Sequence, residues 1–97
     1  MSGNVSIDLE EAKAFLSILQ QFREVLEGEW GQVSNQWSNL ESSWEDKQYD
    51  KIAPVYEKLS ATYSEASQSY DNFIALLEGQ IQIAEDAESR MGSLPDF

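Results

Sequence analysis

The sequence of 97 residues contains no cysteine and no histidine. Without cysteine there is no disulfide bond, no thiolate nucleophile and no cysteine-ligated metal site. Without histidine the chain lacks the commonest general base and the commonest transition-metal ligand, and no Ser-His pair can form. Glycine-rich phosphate loops and nucleophile elbows are also absent from the sequence. Because the pattern places no pair of acids in an apolar cleft, we expect a protein that is not an enzyme and needs no cofactor or metal.

Basic residues and long apolar runs are scarce as well. Six Lys and Arg stand against 18 Asp and Glu, which gives a formal charge of −12. Such a charge disfavours nucleic acid and anionic lipid as partners, although simple solubility also explains an acidic surface. The longest aliphatic run covers residues 74–77, far short of the ~20 residues of a membrane span. Residues 1–5 lack the features of a signal peptide, so we expect a protein that is cytoplasmic before export and is secreted without a cleavable leader.

Proline is also rare, with only Pro54 and Pro95. Apolar residues instead recur at steps of three and four through both halves of the chain, which is typical of amphipathic helices. In the first half this stripe contains Ala12, Phe15, Leu19, Phe22, Leu26, Trp30, Val33, Trp37, Leu40 and Trp44. In the second half it contains Tyr49, Ile52, Tyr56, Leu59, Tyr63, Ala66, Tyr70, Phe73 and Leu77.

The stripes predict a single all-α domain, an antiparallel two-helix hairpin. Its parts are helix 1 at about 8–41, a turn at about 42–47, helix 2 at about 48–91 and a short tail at 92–97. Asp8, followed three residues later by Glu11, predicts the start of the first helix. Gly92, with Pro95 beyond it, predicts the end of the second.

The turn is predicted from residues that compete with helical hydrogen bonding, namely Ser42, Ser43 and Asp46. Either Asp46 or Asp50 is expected to cap the second helix. Pro54 fits without strain only near a helix start, which favours Asp50. If Asp46 is the cap, Pro54 is expected to kink the helix.

Helices of about 35 and 40 residues are each roughly 50–60 Å long, and two such rods cannot enclose a core. Each stripe is wider than one neighbour can cover, so a monomer would leave aromatic surface in water. A second hairpin, the same chain or a paralogous one, would complete a four-helix bundle. The predicted partner interface consists of Phe22, Leu26, Trp30, Val33, Trp37, Leu40, Leu59, Tyr63, Tyr70 and Phe73.

Aromatic residues repeat every seven positions, which returns a side chain to nearly the same helix face. The first helix carries Trp at 30, 37 and 44, and the second carries Tyr at 49, 56, 63 and 70. Core packing explains both ladders. An interface that dominates binding energy explains them too, and the tyrosine hydroxyls suit an interface that stays partly wet.

At this point the chain resembles the hundred-residue Trp-Xaa-Gly family of type VII secretion, whose members are two antiparallel helices joined by a turn that carries the motif. Here Trp44-Glu45-Asp46 stands at the turn, and the resemblance extends from about residue 7 to 91. Asp46 replaces the family's glycine, which resembles a divergent Trp-Xaa-Asp branch. The resemblance identifies Trp44 and Asp46 as the turn motif.

The resemblance implies a secretion substrate or adaptor that acts as a homodimer or heterodimer and is recognised by a membrane-embedded export ATPase. Secreted members or their partners often carry a Tyr-Xaa-Xaa-Xaa-Asp/Glu signal past the second helix. This chain has none, since Tyr70 is followed four residues later by Ile74. Three interpretations are open: export as the passenger of a signal-bearing partner, a cytosolic targeting factor, or a related system without that signal.

Two further functions are compatible with the same surface. One is a cytosolic chaperone that covers the helical N-terminal region of a larger secreted toxin. The other is a structural coiled-coil component of an assembly.

Overall fold

The computed structural model describes residues 7–92, with side chains through Arg90, and these residues form two long helices. The first, α1, is Leu9–Ser43, and the second, α2, is Tyr49–Gly92. The two helices pack against each other, which confirms the predicted all-α helical hairpin. The predictions about residues 1–5, Pro95 and the tail 93–97 lie outside the described residues.

Asp8 caps α1, as the sequence predicts. Its backbone is extended and its side chain accepts a hydrogen bond of 3.1 Å from the Glu11 N–H. Glu10 and Glu11 add negative charge at the positive end of the helix dipole. A single aspartate therefore fixes the N-terminus of a 35-residue helix.

The second helix starts before Asp50, so the preference for Asp50 as its cap is wrong. Asp46 Oδ1 accepts a hydrogen bond of 2.7 Å from the Gln48 N–H, and the Asp46 carbonyl accepts from the Tyr49 N–H at 3.2 Å. α2 continues through Pro54. The proline removes only the donor that would reach the Asp50 carbonyl, and both residues are exposed, where water can replace it.

Most of the side-chain burial between the helices lies along one narrow strip. We use the name hairpin seam for the buried and half-buried residues that recur at steps of three and four along each helix. On α1 they are Leu9, Ala12, Leu16, Leu19, Arg23, Leu26, Trp30, Ser34 and Trp37. On α2 they are Tyr49, Ala53, Tyr56, Ser60, Tyr63, Ser67, Tyr70, Ile74, Leu77, Ile81 and Ala84. The predicted stripes are wider than this seam. Their exposed members, which lie outside it, are Phe15, Phe22, Val33, Leu40, Ile52, Leu59, Ala66 and Phe73.

The hairpin is a thin rod of 81 × 21 × 15 Å. Its radius of gyration is 22.0 Å, whereas a compact domain of this length has about 12.5 Å. Among the described residues only Ala12, Ser67 and Ile81 are buried, and no large side chain is fully buried. The two helices alone therefore enclose almost no core.

Candidate interaction surface

Trp44 and Asp46 hold the turn together. Trp44 ends α1 with extended backbone, and its N–H donates to the Glu41 carbonyl at 3.3 Å. The Trp44 indole Nε1 donates to Asp46 Oδ1 at 2.9 Å, the same oxygen that accepts from the Gln48 N–H. The hydrogen bond from Trp44, followed by the one from Gln48, lowers the pKa of Asp46 below its ordinary value. The turn motif thus joins the end of α1 to the start of α2.

Tyr49 forms a second connection across the turn. Its hydroxyl donates to the Glu41 carboxylate, and this hydrogen bond raises the pKa of Tyr49 above its ordinary value. The Tyr49 ring also meets the Trp44 ring edge-on, with 6.0 Å between centroids. A shallow groove beside this cluster is lined by Leu40, Ser43, Trp44, Glu45 and Asp46.

The tryptophans and tyrosines next to the turn form a continuous stack within the chain. The ring centroid of Trp37 lies 4.4 Å from that of Tyr56 and 6.2 Å from that of Tyr49, and the rings are nearly parallel in both pairs. The ring centroid of Trp30 lies 4.5 Å from that of Tyr63 and 6.0 Å from that of Tyr56, and these rings are also nearly parallel. The two heptad ladders therefore interdigitate across the hairpin seam, where such pairs stabilise beyond their buried area.

Farther from the turn the seam contains polar connections. Arg23 Nε donates to Asp71 Oδ1 at 2.8 Å and its Nη2 donates to Oδ2 at 3.3 Å, and this pairing raises the pKa of Arg23. The Tyr70 hydroxyl donates to the Leu19 carbonyl at 3.0 Å. These bonds fix the alignment of the two helices, because a shift of one helix would leave half-buried polar groups without partners.

Outside the seam, twelve large apolar side chains within residues 7–90 are 43–68 % exposed. Eleven of these residues lie one position before a seam residue, and Leu40 lies one position before Glu41. The helices run in opposite directions, so this common offset places both rows on the same side of the hairpin. The 6.2 Å ring contact between Phe15 and Phe73, each about half exposed, joins the two rows.

We call these residues the apolar face. They are Phe15, Ile18, Phe22, Val25, Val33 and Leu40 on α1, and Ile52, Val55, Leu59, Phe73, Leu76 and Ile83 on α2.

The opposite side of the hairpin is polar. Lys13 Nζ pairs with Glu85 Oε2 at 2.5 Å, and Gln20 Nε2 donates to Glu78 Oε2 at 3.3 Å. All four residues follow a seam residue by one position, the reverse of the offset on the apolar face. The hairpin is therefore two-sided, with one apolar and one charged face.

The ten residues predicted as a partner interface divide between two places. Leu26, Trp30, Trp37, Tyr63 and Tyr70 lie half-buried in the hairpin seam. Phe22, Val33, Leu40, Leu59 and Phe73 lie exposed on the apolar face.

Sequence reasoning missed several members of the apolar face on α2. Ile52 stood in the predicted stripe but not in the predicted interface, and Val55, Leu76 and Ile83 stood in neither. The sequence does contain a row of apolar residues that lie one position before the seam residues. This row can be separated from the seam only when the seam residues are known.

Within residues 7–92 there is no group of three or more Asp or Glu side chains placed to hold a metal ion. Neither helix has an apolar stretch long enough to cross a membrane, over the residues searched. Comparisons with known proteins returned no matching family model, no matching curated protein and no matching solved structure.

Proposed function

We propose that this protein is an interaction module whose apolar face packs against a second helical hairpin to form a four-helix bundle. The observation that carries the proposal is the gathering of all twelve exposed large apolar side chains on one side of the rod. Contiguous exposed apolar surface of this kind marks interaction sites, whereas scattered single residues are ordinary.

The surface area supports the same proposal. The chain exposes 7741 Å², whereas a compact monomer of its mass exposes about 5,600 Å². A stable interface of standard size buries about 800 Å² on each partner. The excess is therefore large enough to supply such an interface without disturbing the hairpin seam.

We further propose that the module belongs to a type VII secretion pathway, as a substrate or an adaptor recognised by an export ATPase. The resemblance to the Trp-Xaa-Gly family supports this, because Trp44 and Asp46 join the helices at the turn of an extended hairpin. The protein would then be cytoplasmic before export. Its detection in culture supernatant would favour a substrate, and strict cytosolic retention would favour an adaptor or chaperone.

The test of the pairing surface uses two neighbouring positions on α2. Leu76 belongs to the apolar face and is 68 % exposed, whereas Ala75 follows the seam residue Ile74 on the polar side. Leu76→Asp and Ala75→Asp add the same charge one residue apart. We expect Leu76→Asp to weaken association at least about tenfold and Ala75→Asp to leave it nearly unchanged, with helicity retained in both.

The measurement is sedimentation equilibrium of the purified chain and of the complex purified with it from its native host. Equal effects of the two variants would contradict the proposed surface. A well-folded 11.0 kDa species that associates with nothing in either preparation would contradict pairing altogether.

A further inference from the structure

The apolar face is interrupted near the middle of α1 by a carboxylate. Glu29 lies four residues after Val25 and four residues before Val33, so all three side chains share one helix face. Both valines are exposed members of the apolar face. Among residues 7–92, Glu29 has no hydrogen-bond or ion-pair partner. Any chain that covers the apolar face would therefore bury Glu29 or lie directly beside it.

The position of Glu29 disfavours a second copy of this chain as the partner. The middle of α1 (Leu9–Ser43) is residue 26, so Glu29 lies only about 4.5 Å from it along the axis. Two copies pairing antiparallel about that middle would hold their Glu29 positions about 9 Å apart along the axis, and two copies pairing parallel would hold them at one level. Like charges at the centre of an apolar interface, where water is excluded, oppose association.

Charge along the rod points in the same direction. We call residues 7–29 and 64–92 the open half, which holds twelve acidic and three basic side chains. Residues 30–63, the shorter turn half, hold five acidic and three basic side chains, which is also a lower net charge per residue. Either orientation of a second copy places the strongly acidic open half beside another acidic segment, whereas a basic partner would neutralise it.

We propose that the apolar face is covered by a different helical chain, which places a Lys or Arg opposite Glu29 and carries net positive charge along the open half. This inference rests on the proposed function, because it names the partner of the same pairing surface. The partner's apolar residues bind the twelve exposed side chains, and its central cation selects this chain against self-pairing.

The test uses a copy of the protein that imitates the partner's central charge. Glu29→Lys supplies a cation at this position, and one component is fluorescently labelled at its amino terminus for sedimentation velocity. The mixture of wild type and Glu29→Lys is expected to associate at least about tenfold more tightly than wild type alone or the variant alone. Added salt should tighten the mixed pair less than it tightens wild type alone, because both pairs share the screened repulsion between acidic segments but only the mixed pair has an attractive central interaction.

The control is Glu24→Lys, which makes the same charge change on the same helix. Glu24 is exposed and lies about 140° around α1 from Glu29. Mixing wild type with Glu24→Lys should change association less than about twofold. Glu29→Gln provides a second variant, since removal of the charge alone should tighten self-association relative to wild type.

The outcomes separate this inference from the proposed function. A tight wild-type dimer that Glu29→Lys and Glu29→Gln leave unchanged keeps pairing through the apolar face but overturns the basic partner in favour of a second copy. Equal effects of Glu24→Lys and Glu29→Lys also overturn it, because the effect would then come from net charge. No association in any mixture at about 100 µM would contradict this inference, because a cation at position 29 would then not create a pair, whereas the proposed function is decided by the complex purified from the native host.

Discussion

The turn half and the open half close the hairpin in different ways. In the turn half, Trp30 and Trp37 are stacked between tyrosines, and their rings are used inside the chain. In the open half, the Phe15 and Phe22 rings meet α2 but remain about half exposed, and polar bonds fix the alignment. The difference indicates that aromatic stacking stabilises the turn half, while the open half leaves more aromatic surface for a partner.

The largest expected effect comes from removing a ring from each half. Trp37→Ala removes the stack on Tyr56 and Tyr49, and we expect a loss of about 2–3 kcal/mol in the free energy of unfolding, below the range for a fully buried Trp. Phe15→Ala removes one edge contact of a half-exposed ring, so about 1 kcal/mol is expected. Urea unfolding followed by far-ultraviolet circular dichroism measures both. A larger loss for Phe15→Ala would reverse the comparison.

The next effect concerns the ion pair of the open half. Asp71→Asn removes the charge that faces Arg23, whose side chain is only 19 % exposed and whose Nη1 is buried without a hydrogen bond. We expect a loss of about 1 kcal/mol, because Asp71 itself is half exposed and screened by water.

Glu27→Gln is the matched control for this ion pair. Glu27 lies 3.7 Å from the same guanidinium but is 75 % exposed, so no measurable loss is expected. The same urea titration compares the two variants, and equal losses would show that geometry and burial do not distinguish the two acids.

These two halves also mark what the sequence could predict. The helix-turn-helix architecture followed from the three- and four-residue spacing, and the Asp8 cap followed from its side chain and position. The interleaving of the Trp and Tyr ladders was consistent with their equal seven-residue spacing. Local chemistry and periodicity were sufficient for the helices and the cap, because these depend on residues near one another in the chain.

The division of the stripe into seam and apolar face could not be predicted from either helix alone. Phe22 and Arg23 are neighbours, yet the arginine lies in the seam and the phenylalanine on the apolar face. Which of them faces α2 depends on Asp71, 48 residues away, which pairs with the arginine. A charged seam residue opposes the usual expectation that the apolar neighbour is buried, so the phase of the stripe was misjudged there.

The third prediction concerns how the stability of the protein changes at acidic pH. Because hydrogen bonds hold the pKa of Asp46 below its ordinary value, its contribution to stability is fully present above about pH 4 and is lost as pH falls through the lower folded-state pKa. Asp46→Asn is therefore expected to be less stable than wild type at neutral pH, with a difference that shrinks below pH 4. Thermal unfolding at a series of pH values measures this difference. A difference that stays constant down to pH 2 would contradict a role for the charge.

The smallest expected effects are stabilising, and they probe the surfaces that no partner is proposed to cover. Gly31 in the turn half and Gly79 in the open half are both helical, and a Cβ at either position would meet no atom within 4 Å. Replacement by Ala should raise the free energy of unfolding by about 0.5–1 kcal/mol at each position, since Ala loses less conformational entropy on helix formation. The two gains should be equal, because neither glycine contacts the other helix.

The association of these two glycine variants with a partner can also be measured. If Gly79→Ala weakens pairing while Gly31→Ala does not, a partner backbone must approach the open half closely at a position off the apolar face. That result would extend the interface around α2. Unchanged association in both variants would instead confine the partner to the side defined by the exposed phenylalanines, where the open half differs most from the turn half.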